Sequence, residues 1–125
     1  MGKTDMIENQ LFELLETLGY EVYKQGSFTT TEEYPDNFFT VWNDDTEEKG
    51  HYDNQEQNCI WYFTVNFYSV DPLLTTTILL KAKKLLEEND WIVPGKGKDV
   101  YSDSKNHSGR SMEIMFMEKG GKQDV

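Results

Sequence analysis

The run Cys59 to Tyr68, CIWYFTVNFY, constrains this chain more than any other stretch, because it is bulky on both of its faces. Read as a β-strand, it places Cys59, Trp61, Phe63, Val65 and Phe67 on one side and Ile60, Tyr62, Thr64, Asn66 and Tyr68 on the other. Neither side is suited to water, so the strand belongs at the centre of a sheet with a second layer packed on it.

Two segments have the pattern of that layer. From Asp5 to Leu18, Ile7, Leu11, Leu14, Leu15 and Leu18 recur at the spacing of an amphipathic helix. Asp5 with Glu8 resembles a capping box, and Gly19 stands where a left-handed residue closes a helix. A second helix starts with Asp71 as N-cap and Pro72 in the first turn, and carries Leu74, Ile78, Ala82 and Leu85 through about Glu88. Further strands are expected at Tyr20 to Lys24, at Phe38 to Trp42 with bulk on both faces, and at Ser111 to Met117, with a short apolar piece at Trp91 to Val93 and an arm at Asp99 to Ser102. Gly26 to Asn37 and the very polar Asn43 to Asn58 read as exposed loops. The expected fold is α+β: a mostly antiparallel sheet of four to five strands with two helices on one face, in the order α-β-β-β-α-β-β.

A chain of 125 residues with 14% aromatics has material for one core, so a single domain is expected, ordered from about residue 5 to 118 with 119–125 a frayed tail. No apolar run approaches the ~18 residues of a membrane span, and MGKTDMIENQ lacks the layout of a secretory signal, so no membrane association is expected. One cysteine, Cys59, allows no internal disulfide.

Charge divides the chain in two. The net charge is −11; residues 1–70 hold 14 acids and 3 bases, whereas residues 71–125 hold 9 of each. Free nucleic-acid binding needs a basic stripe to track phosphates, and the cluster Lys81, Lys83 and Lys84 lies among acids. The acids concentrate at Asp44, Asp45, Glu47, Glu48, Asp53 and Glu56, read as a loop facing a lumen or a partner.

Chemical motifs are sparse. His51 and the surrounding acids lack calcium-loop or histidine-pair spacing, so no metal site is expected. Pro94-Gly95-Lys96-Gly97-Lys98 has its glycines one residue apart and leads to a strand, which is a turn and not a phosphate loop. Cys59 sits on an apolar strand face, where cysteine is a small hydrophobe. His107 with Ser104, Ser108 and Arg110 reads as turn chemistry, and Met112, Met115 and Met117 as packing. Neither catalytic residues nor a cofactor are expected, and the chain does not read as an enzyme.

The strings GYEVYKQG (19–26), EEYPDNFFTVWN (32–43), HYDN (51–54), WYFTVNFYS (61–69) and WIVPGKGKDVYSD (91–103) together span most of the chain. With the element order, they resemble small tail completion or tail terminator proteins, also described as head-tail joining proteins, of long-tailed bacteriophages and prophages of Gram-positive hosts. That resemblance implies a structural subunit of the virion, made in the host cytoplasm and placed at the head-proximal end of the tail. It implies a homo-oligomer, a hexameric ring, whose partners are the tail tube protein and the head-tail connector, with DNA passing through unbound. An acidic lumen would repel the DNA backbone. Ring closure uses two different faces of each subunit, for which Phe38 and Trp42 are the expected interface residues. The alternative is an acidic DNA-mimicking inhibitor of a host nuclease, which needs carboxylates arrayed along one elongated face. A hydrolase built on His51 or His107 ranks third.

Overall fold

The computed structural model describes residues 3–24, 34–49 and 58–118. Helix α1 (Lys3–Glu16) is followed by strands β1 (Glu21–Lys24), β2 (Asn37–Lys49) and β3 (Asn58–Ser69), helix α2 (Pro72–Glu88), and strands β4 (Lys98–Val100) and β5 (Ser108–Glu118). The fold is α+β in the expected order. The five strands form one sheet in the spatial order β1-β2-β3-β5-β4. It is mixed and not purely antiparallel, since β1 runs parallel to β2 while all other neighbours are antiparallel. The two strands start side by side, with Glu21 opposite Phe38 and Lys24 opposite Val41.

β3 lies at the centre, paired along its whole length with β2 on one side and from Cys59 onward with β5 on the other. Its inner face carries Trp61, Phe63, Val65 and Phe67, all buried, in register with Phe39 and Val41 of β2 and Met112 and Ile114 of β5. Both helices cover this face: Ile7, Leu11 and Leu15 of α1 and Ile78, Leu79, Ala82 and Leu86 of α2 belong to the same core. Burying one such side chain contributes roughly 1.5–3 kcal/mol, so this layer dominates stability.

Local chemistry sets the ends of α2. Asp71 accepts the Leu73 N–H through its carboxylate at 3.1 Å, and Pro72 occupies the first turn. At the other end Asp90 adopts φ +73°, the Trp91 N–H reaches the Leu86 carbonyl at 3.0 Å, and the Asp90 N–H reaches Glu87 at 3.4 Å. This is a Schellman closure in which Asp90 takes the position usually held by glycine, and it delivers Trp91 into the core beside Leu86. The helix α1 already includes Lys3, so Asp5 lies inside its first turn, while Gly19 has the left-handed φ of +98° foreseen for it.

Strand β2 is longer than its composition suggests. Asn43 to Lys49 read as loop, yet they pair with Asn58 to Phe63 across a register shift between Asn43 and Asp45. An antiparallel partner as strand-forming as Ile60 to Phe63 overrides the weak intrinsic preference of the acidic segment. Trp91 to Val93 contributes a single bridge, Ile92 to Met115, and is tied to α2 by Lys83, whose Nζ donates to the Val93 carbonyl at 2.8 Å. The arm expected at Asp99 to Ser102 is the three-residue β4, which starts one residue earlier. The tail 119–125 lies outside the described residues.

Two backbone positions make testable claims. A Cβ at Gly97 (φ +93°) would stand 2.7 Å from the Ser111 carbonyl oxygen and 3.1 Å from Leu79, so Gly97→Ala should cost on the order of 1–3 kcal/mol. Asp90→Gly, by contrast, relieves a left-handed acidic residue at a helix C-terminus and should stabilise by about 0.5–1 kcal/mol. Urea denaturation of the two variants should therefore move the midpoint in opposite directions.

Candidate functional site

The outer face of the sheet, opposite the helices, divides into a closed half and an open half. At the closed end Phe38 is only 2% exposed. Its ring stacks on Tyr68 at 5.3 Å and meets Tyr34, His107 and Tyr23 at 5.5, 5.7 and 6.1 Å. The residues 34–36 and 102–107 hold this cluster together. Tyr34 donates to an Asp103 carboxylate oxygen at 2.9 Å, while His107 joins the Pro35 carbonyl at 2.8 Å through Nε2 and the Ser104 hydroxyl at 2.8 Å through Nδ1. A carbonyl only accepts, so Nε2 carries a proton and donates to Pro35. Ser104 Oγ also accepts the Asn106 N–H at 3.3 Å, which makes the serine and histidine parts of a loop clamp.

The two tyrosines in this cluster titrate late. The hydrogen bond to Asp103 raises the Tyr34 pKa, with burial and the Asp103 charge adding to it. Burial is the main cause for Tyr68, reinforced by the Asp103 charge and opposed by a hydrogen bond with Thr40.

Toward the other end the outer face is open. Trp42 is half exposed, Ile92 and Met117 are nearly so, and Tyr62 and Met115 are partly buried. The register gathers them: Tyr62, Met115 and Ile92 lie in one row across β3, β5 and the bridge, with Trp42, Thr64 and Glu113 in the next row but one along the same face. At the bulge Asp44 accepts the Thr64 hydroxyl. Between the rows and the cluster, Asn66 donates to Thr40 at 3.1 Å, satisfying two buried polar groups.

A groove of about 380 Å³ adjoins the open half along the β4 edge, lined by Pro94, Gly95, Lys96, Gly97, Lys98, Ser111, Met112 and Glu113. Arg110 ties the turn to β4, with Nη1 on Asp99 at 2.8 Å and Nη2 on the Gly97 carbonyl at 3.1 Å. Lys96 and Lys98 are exposed at its rim. The Pro94 to Lys98 segment is a glycine turn leading into β4, without the helix start of a phosphate loop.

The two residues expected at a subunit interface therefore part company. Phe38 is spent on the monomer's own outer-face cluster and has no surface for a partner; Trp42 does. Of the acids, Asp44, Asp45, Glu47 and Glu48 lie on β2 and not in a loop, whereas Asp53 and Glu56, with His51, lie outside the described residues. The His107 cluster and the row of Tyr62, Met115 and Ile92 were not singled out as surface features. Alternation on β5 places Met115 and Met117 outward, but pairing of Ile92 beside them needs the tertiary fold.

Among the described residues no three His, Cys, Asp or Glu side chains converge as metal ligands, and no helix is long and apolar enough to cross a membrane. No protein-family model matches the sequence, and no curated protein does.

Two measurements separate the halves of the outer face. Phe38→Ala should cost about 3–5 kcal/mol in denaturant unfolding, whereas Trp42→Ala should cost about 1 kcal/mol or less. Because folding favours the protonated form of Tyr34 and Tyr68, their contribution is complete below the ordinary tyrosine pKa near 10 and is lost as pH rises through the higher folded-state values. Tyrosinate absorbance should show groups titrating above the ordinary tyrosine value near 10, and Tyr34→Phe should remove one of them and flatten the alkaline loss of stability.

Proposed function

We propose that the protein is a structural assembly subunit of a long-tailed bacteriophage or prophage, a tail completion or terminator protein that oligomerises as a ring at the head-proximal end of the tail and joins it to the head connector. The observation that carries this reading is the open half of the outer sheet face. There Trp42, Met117 and Ile92 leave apolar surface in water on a domain whose helices already cover its other face. Exposed aromatic and methionine side chains gathered on a rigid sheet are the composition of interface cores. The resemblance of the strings across the chain to such phage proteins supplies the biological setting.

The tail tube and connector proteins are the heterologous partners in this reading, and the self-assembled ring passes DNA without binding it. The acid excess of residues 1–70 suits that passage. A nuclease-inhibiting acidic protein is the competing reading, and it differs in what its loss does to virions.

Deletion of this reading frame from the source genome, with a plasmid copy as control, tests the proposal by electron microscopy. Separate heads and tails, or tails of uncontrolled length, are expected. Intact particles with normal tails would sink it and bring the inhibitor reading forward.

A further inference from the structure

A second cleft, of about 490 Å³, lies where the C-terminal ends of the two helices meet β5. α1 contributes Glu13, Leu14 and Thr17 to its wall, the close of α2 contributes Asp90 and Trp91, and β5 contributes Phe116. The floor is apolar: Leu14 and Phe116 are partly buried against the core, and Trp91, 3% exposed, packs on Phe116 with ring centres 4.9 Å apart.

The rim is negative. Glu13 and Asp90 are exposed there, and neither belongs to an ion pair among the described residues. Thr17, just past the end of α1, and Asp90, just past the end of α2, bring the electronegative ends of both helices to the same place, and neither helix has a basic residue in its last turn. No described base answers these charges. The lining holds none, Lys83 is taken by Glu87 at 2.9 Å and by the Val93 carbonyl at 2.8 Å, and Lys84 is two residues from buried Leu86 and so on the far side of α2.

We infer that this cleft receives an arginine side chain from a partner protein, its guanidinium at Glu13 and Asp90 and its aliphatic stem on Leu14 and Phe116. The assembly reading makes no use of this side of the domain, so the two stand or fall separately. Charge and floor together select the occupant. An anionic rim over hydrocarbon and an aromatic ring suits a cation carried on an apolar stem, and a planar guanidinium is more weakly hydrated than an ammonium and stacks better on a ring. A bare inorganic cation would gain nothing from the floor, and no third metal-ligating side chain joins the two carboxylates among the described residues. Free arginine would bring its own carboxylate to a negative rim, whereas within a chain that group is a neutral amide. A second copy is not the source: Arg110 is the single arginine of the sequence and is committed to Asp99 and the Gly97 carbonyl.

The test titrates the isotope-labelled full chain, followed by NMR, with the capped peptide acetyl-Ala-Leu-Arg-Leu-Ala-amide. Controls carry citrulline, the neutral isostere, or lysine at the central position. Shifts at the backbone amides of Thr17, Asp90, Trp91 and Phe116 are expected with millimolar arginine peptide, weakening as salt rises. Binding should be about tenfold weaker for the citrulline peptide and about threefold weaker for the lysine peptide. Glu13→Gln with Asp90→Asn should weaken the arginine peptide about tenfold and leave the citrulline peptide unchanged. Asparagine tolerates the left-handed backbone at position 90, so the spectrum away from the cleft should remain that of the folded chain. Equal affinity for the citrulline peptide, shifts confined to another surface, or no shifts would overturn the inference. Lysine bound as tightly as arginine would overturn the choice of occupant and admit a second copy as its source. Agmatine, a guanidinium on an aliphatic stem without a peptide, binding as tightly as the arginine peptide would overturn the partner protein in favour of a small cation.

Discussion

Phe63, Val65 and Phe67 reach full burial because β3 has a strand on each side and both helices across its inner face. Remove any of those three coverings and aromatic and branched side chains at the centre of the domain meet water. The other elements can be understood as answers to that demand. α2 begins one turn after β3 ends, at a junction where Ser69 donates to Asn37 and accepts the Asp71 N–H, so the chain leaves the sheet at a fixed point and folds back over it. The left-handed Asp90 ends α2 in time to drop Trp91 against Phe63 and Phe116, at 5.7 and 4.9 Å between ring centres. On the outer face the inner layer makes no claim on Trp42, Ile92 and Met117, which remain exposed.

That outer face shows how a sheet can be closed over half its area by loops alone. Phe38 is an outward-pointing residue of β2, yet it is as buried as the inner core, because the 34–36 and 102–107 segments meet above it and are fastened by Tyr34 to Asp103 and by His107 to Pro35 and Ser104. Gly109 belongs to the same closure. A Cβ there would lie 2.6 Å from the Tyr68 ring, so the ring rests directly on the backbone of β5. The open half has no such cover among the described residues, and Trp42 stays half exposed there.

Much of this fold was legible in the sequence because its signals are periodic. The alternation from Trp61 to Tyr68 names both faces of β3, and the spacing of Leu11, Leu15, Ile78 and Ala82 names the buried sides of the helices. The misses lie where a partner strand or a backbone conformation decides. Asn43 to Lys49 is too acidic to announce a strand, and only its pairing with β3 makes it one. Asp90 carries no glycine signal for its helix end. Bulk at Phe38 and Trp42 looked alike in the sequence, and what separates them is whether a loop passes overhead, information held 60 or more residues away in Ser104 and His107. Pro94 to Lys98 was read as a turn, and a turn leading into β4 it is, because its glycines permit the φ of +93° at Gly97 that a strand or helix start would not use.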